Sequence, residues 1–99
     1  MNAISSIASS GMQAAQTVMR TSANNVANAN TAGFQRQEVQ QTAQAQGGVE
    51  AAVKASDEKK ASMEADVVAQ LQAKNAFLAN LKVFKTNDAM AGSLLDSKA

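Results

Sequence analysis

Ninety-nine residues pass without a single proline, and no other feature narrows so sharply what this chain can fold into. Proline averages about 5% of residues in ordinary proteins, and it is the residue that most decisively stops a helix. Alanine, the strongest helix former, supplies 22 of the 45 hydrophobic residues. The expectation is an all-α fold: a long antiparallel helical hairpin with a flexible or partly helical middle linker. Residues 1–33 form the first helix and its turn, 34–62 the linker, and 63–99 the second helix.

Spacing refines this outline. Asn2 can cap a first helix, in which Ile4, Ile7, Ala8, Met12, Ala15, Val18, Met19, Ala23 and Val26 recur at three- and four-residue steps and draw one apolar stripe. Ser6, Ser9, Gln13, Gln16, Arg20 and Asn24 lie opposite. The helix should fail where Asn28, Asn30, Thr31 and Gly33 gather, because Asn and Gly accept the left-handed conformation that ends helices. The stretch from Phe34 to Lys60 carries six Gln between Gln35 and Gln46, then Gly47-Gly48 and the charged run Asp57 to Lys60; it reads as linker with at most transient structure. Ser56 or Ser62 starts a second helix, with Glu64 and Asp66 at its positive end. Between Ala76 and Phe84 its apolar residues occupy more than one face, so other chains are expected to supply part of its surroundings.

Composition removes most function classes. There is no Cys, His, Trp or Tyr, hence no disulfide framework, no thiolate or imidazole metal site, and no Ser/His or Cys/His nucleophile pair. No catalytic residue, cofactor or metal ligand is nominated: Gly47-Gly48 is not followed by a phosphate-loop Lys, and the carboxylates do not pair beside an apolar pocket. The nine basic residues offset eight acidic ones without the clusters that nucleic-acid binding needs. No segment offers the roughly 20 apolar residues of a membrane span, and Ser5, Ser6, Ser9 and Ser10 interrupt any apolar run ahead of Arg20, unlike a cleavable secretory signal.

The stretch Thr21-Ser22-Ala23-Asn24-Asn25-Val26-Ala27-Asn28-Ala29-Asn30-Thr31-Ala32-Gly33-Phe34 resembles the signature of the bacterial flagellar axial families of rod, hook and hook-associated proteins. Gly11-Met12 and Ala15 match the element one to two turns upstream. The second helix, especially Ala76 to Met90, is similar to the family's terminal helix, with Phe77 where the family usually has Tyr. The resemblance implies a structural subunit of the flagellar basal-body rod, closest to short proximal-rod members, that packs helically to transmit torque for motility. It implies that the two ends pair as a coiled-coil-like hairpin and that Asn24, Asn25, Asn28, Asn30, Thr31, Gly33 and Phe34 set the turn. Gly33 is expected to permit a turn that a Cβ would obstruct, Phe34 to anchor it, and Asn25 and Asn28 to satisfy backbone groups freed at the helix end.

The packing interface expected from both readings comprises Ile4, Ile7, Met12, Val18, Met19, Val26, Leu71, Phe77, Leu78, Leu81, Phe84, Met90, Leu94 and Leu95. Partners implied by the resemblance are copies of the chain, other flagellar axial proteins and the flagellar type III export apparatus, with export to the periplasmic rod and no cleaved signal. The alternative is a cytosolic helical-hairpin adaptor or export chaperone that binds another chain's amphipathic helix; it accounts for the apolar faces but not for the matching patterns at both ends.

Overall fold

A computed structural model describes residues 3–56 and 63–97. Two long helices, α1 (Ala3–Ala27) and α2 (Met63–Ser97), enclose two strands, β1 (Gln37–Ala43) and β2 (Val49–Ala55). The all-α expectation is therefore overturned: the segment read as a linker folds into an antiparallel β-hairpin, and the fold is α+β. Asn2, Ser62 and the run from Asp57 to Lys60 lie outside the described residues.

The hairpin follows from side-chain alternation. Val39 pairs with Val53 and Ala43 with Val49, while Glu38 faces Lys54 on the other side of the ribbon, where their side chains form an ion pair at 3.5 Å. The turn closes when the Gly47 N–H donates to the Gln44 carbonyl at 3.1 Å and the Gln44 N–H to that of Gly48 at 3.0 Å. Gly47 and Gly48 both adopt positive φ, 94° and 93°, a conformation that a Cβ disfavours. Two strands alone are marginal, so this ribbon needs a support, and α1 is it. Seven residues at about 3.3 Å each span ~23 Å. That matches the ~22 Å rise of α1 between Asn25 and Ser10, the residues that hold the two ends of the hairpin. At the near end Asn25 bonds Gln37. At the tip the Val49 N–H donates to the Ser10 Oγ at 3.1 Å, which itself donates to the Ile7 carbonyl at 2.7 Å.

The helices pack antiparallel in a fixed register. Asn87 Nδ2 donates to Ser5 Oγ at 2.7 Å, Gly11 abuts the Asn80 amide, and Asn25 Nδ2 donates to Asp66 Oδ1 at 3.4 Å. The residue numbers of these pairs sum to 92, 91 and 91. On α2 the seam therefore runs Asp66, Ala73, Asn80, Asn87, a seven-residue repeat of the kind that keeps one stripe facing a partner helix. The α1 side is made of small residues: Ser5, Ala8, Ala15 and Ser22 are all buried. A Cβ at Gly11 would come within 2.7–2.9 Å of the Asn80 side-chain amide, so the backbones approach as closely as glycine allows. By this register α1's first described residue lies level with residue 88 (91 − 3), and α2 continues for nine more, about two and a half turns.

The outcome is slender. The Cα extents are 63 × 24 × 14 Å and the radius of gyration 17.2 Å, against about 13 Å for a compact chain of this length. Among the described residues the buried apolar side chains are Ala8, Ala14, Ala15 and Ala73.

Candidate functional site

Two features stand out: a polar cluster where the chain leaves α1, and the apolar flanks of the hairpin.

The polar cluster centres on Asn25, which is 2% exposed. Its Nδ2 donates to the Gln37 carbonyl at 2.7 Å and its Oδ1 accepts from the Gln37 N–H at 3.0 Å. The side-chain amide thereby replaces a neighbouring strand at the first residue of β1. Asn25 was expected to satisfy the end of its own helix; it reaches across twelve residues instead. Asn28 does serve the helix end, its Nδ2 donating to the Asn24 carbonyl at 2.9 Å and to Asn24 Oδ1 at 3.0 Å. Thr31 Oγ1 donates to Asn28 Oδ1 at 3.3 Å, and the Phe34 N–H donates to the Thr31 carbonyl at 3.2 Å. Phe34 is half-buried, whereas Asn30 is exposed. Gly33 adopts a φ of 76°, but a Cβ there would meet nothing within 4 Å. The expectation of obstruction is corrected: the backbone conformation, not crowding, calls for glycine.

Sequence reasoning missed the charged half of this cluster. Asp66, read as a helix-dipole partner, is 2% exposed and grips Arg36. The guanidinium donates from Nη2 to Asp66 Oδ1 at 2.7 Å and from Nε to Oδ2 at 3.3 Å. Such a two-point fork is the strongest geometry an ion pair offers. The Ser56 N–H donates to the Arg36 carbonyl at 2.8 Å, carrying the strand ladder one residue past β2. Ser56 is thus a buried bridge, not a helix cap. The available cue was Arg36 itself, an isolated cation in a half of the chain with few charges. Together Asn25, Arg36 and Asp66 tie α1, the entry to the hairpin and α2 to one another.

The large apolar side chains lie elsewhere. Of those expected to pack, Met12, Val18, Met19, Val26, Phe77, Leu81 and Phe84 are half-buried. Ile4, Ile7, Leu71, Leu78, Met90, Leu94 and Leu95 are 43–71% exposed. Val67 and Val83 join them on the outside. The intramolecular seam uses alanine, serine, glycine and asparagine and leaves the bulky groups on its flanks. Between the hairpin and α2 lies an open cleft of about 520 Å³, lined by Ser10, Gly11, Ala14, Gln41, Val49, Gln72, Ala73 and Asn80 among others. Among the described residues no group of three or more acidic side chains could hold a metal ion, and no helix is long and apolar enough to cross a membrane.

The described residues thus form a thin helical hairpin with a polar latch at one end and exposed apolar flanks. Residues 6–35 match the family model described as flagella basal body rod protein. That segment takes in most of α1 and the turn that follows it, and over it the chain is similar to flagellar basal body rod proteins. A search for similar curated proteins finds no match.

Proposed function

We propose that the chain packs side by side with copies of itself and with other axial proteins into the flagellar rod, and that the packed helices transmit torque. It reaches the periplasmic rod through the flagellar type III apparatus. The observation that carries this reading is the placement of bulk. Among the described residues eleven large hydrophobic side chains are 43–71% exposed, while the α1 side of the seam between the helices is filled by small ones. Apolar area in water is unfavourable by about 25 cal/mol per Å², and contiguous exposure on this scale marks surfaces that other chains cover. Transmission of torque then needs no reactive group, only helices that cannot slide past one another. The polar latch supports this by fixing α1 against α2 at one register.

Mass spectrometry of purified basal bodies tests the reading. The chain should be present in them, and Leu78→Asp, which puts a charge on an exposed flank position, should be absent from them although expressed. A wild-type chain missing from basal bodies would overturn the proposal.

A further inference from the structure

Five of the exposed apolar side chains, Ile4, Val67, Leu71, Val83 and Met90, lie in two patches whose positions specify how one copy meets the next. The first patch, at the latch end, comprises Met19, Ala23, Val67 and Leu71, with Lys74 at its rim, around a depression of about 410 Å³. The second, at the other end, comprises Ile4, Val83 and Met90, with Lys82 at its rim, around one of about 360 Å³. The α2 residues of the two patches are centred about 15 residues apart, or ~23 Å along the axis, and roughly 140° apart around the helix. They lie on opposite flanks of the seam. The hairpin explains the division. It docks on α1 at Ser10, and Met19 is nine residues on, half a turn away after whole turns at about 100° per residue. The first patch therefore occupies the flank opposite the hairpin. The second lies past the hairpin's tip, which ends against Ile7 and Ser10.

From this geometry we infer that the two patches bind each other between successive copies of this chain, with parallel axes and staggered by ~23 Å. The inference deepens the rod-subunit reading and rests on it. Because the patches lie on opposite flanks at different heights, and about 140° and not 180° apart, a sideways shift with an axial offset and a turn of ~40° per copy brings one against the other. Such head-to-tail contact does not close on itself and propagates. Charge supports a second copy as the occupant: at this stagger Glu64 of one copy comes level, within about three residues or ~4.5 Å, with Lys82 of the next.

The chain has no cysteine, so engineered pairs report cleanly. Purified full-length Leu71→Cys and Thr86→Cys chains, mixed and oxidised by a copper catalyst in air, should give mixed dimers. The double variant should give a ladder. The pair Val67→Cys and Met90→Cys is offset by 23 residues, eight too many, which leaves ~12 Å of axial mismatch where a disulfide tolerates about 7 Å between Cα atoms. It should cross-link at least about tenfold less, a penalty of ~1.4 kcal/mol. Glu64→Lys or Lys82→Glu alone should weaken self-association, and the double swap should restore it. Homodimers of the single variants in place of mixed dimers, equal yields from both pairs, or no cross-linking by chains whose circular dichroism is unchanged would each overturn the stagger. Scoring basal bodies separates the two ideas: cysteine variants that still incorporate but give no ladder remove the stagger alone, whereas absence of the wild-type chain removes the rod reading with it.

Discussion

Replacing Arg36 with Met keeps the aliphatic stem and removes the guanidinium from Asp66, whose side chain is 3% exposed. The carboxylate would then remain buried with the Asn25 amide, at 3.4 Å, as its remaining side-chain hydrogen bond described here. Breaking one side of a buried ion pair costs about 3–5 kcal/mol. A domain of this length has a total stability of ~5–15 kcal/mol at 0.05–0.15 kcal/mol per residue, so the loss is a third or more of a mid-range value. At 1.4 kcal/mol per tenfold, ~4 kcal/mol lowers the folded-to-unfolded ratio by about three orders of magnitude. With a urea m-value near 2 kcal/mol/M, the midpoint should fall by about 2 M. The assay is urea denaturation of dilute chain followed by circular dichroism at 222 nm. Arg36→Met combined with Asp66→Leu should recover most of the loss, because replacing both ions with packed apolar groups is often neutral or stabilising. A cost below ~1 kcal/mol for Arg36→Met, the value of an exposed pair, would refute the argument that this latch is buried and closed.

Asn25→Ala removes both bonds to the Gln37 backbone; amide exchange at Gln37 and along β1 should accelerate, with a loss of about 1–3 kcal/mol at the latch. Gly33→Ala should cost only about 1–2 kcal/mol, the penalty of a left-handed backbone for a residue with a Cβ, since nothing stands within 4 Å of the new atom; a much larger loss in thermal melts would contradict this. Gly11→Ala pushes against the Asn80 amide and should destabilise the helix pair by ~1–3 kcal/mol, with Asn80→Ala in the same chain returning most of it. Leu78→Asp, at a position 50% exposed, should leave the urea midpoint of the dilute chain within about 0.5 kcal/mol of wild type while blocking incorporation.

The helices are legible in the sequence because their signals are local: no proline, abundant alanine, and an Asn-rich stretch that follows the end of α1 at Ala27. The hairpin is not, for a physical reason. Its strands are built from Gln, Glu, Ala and only a few Val, residues of low or middling strand preference. What orders them is non-local: Asn25 at one end, Ser10 at the other, and a matching length of α1 between. Gly47-Gly48 between stretches of alternating character was the one cue. The seam was legible only in part, for a related reason. Ala8 and Ala15 belong to the apolar stripe and do face inward, but a search for apolar periodicity passes over Ser5, Ser22, Asp66, Asn80 and Asn87, which line the same seam. The turn cluster was half legible: Asn24, Asn28 and Thr31 are joined by hydrogen bonds, but Arg36 and Asp66 are 30 residues apart and no short-range pattern joins them.

Helices that touch through alanine and glycine make a plank only 14 Å thick in its Cα trace and 63 Å long. A plank resists bending edge-on far better than across its thin dimension, so a single molecule is compliant in one direction. Set around a common centre like the staves of a cask, each plank has its weak direction braced by the curvature of the wall. Rigidity in such an object belongs to the ring and not to any member of it.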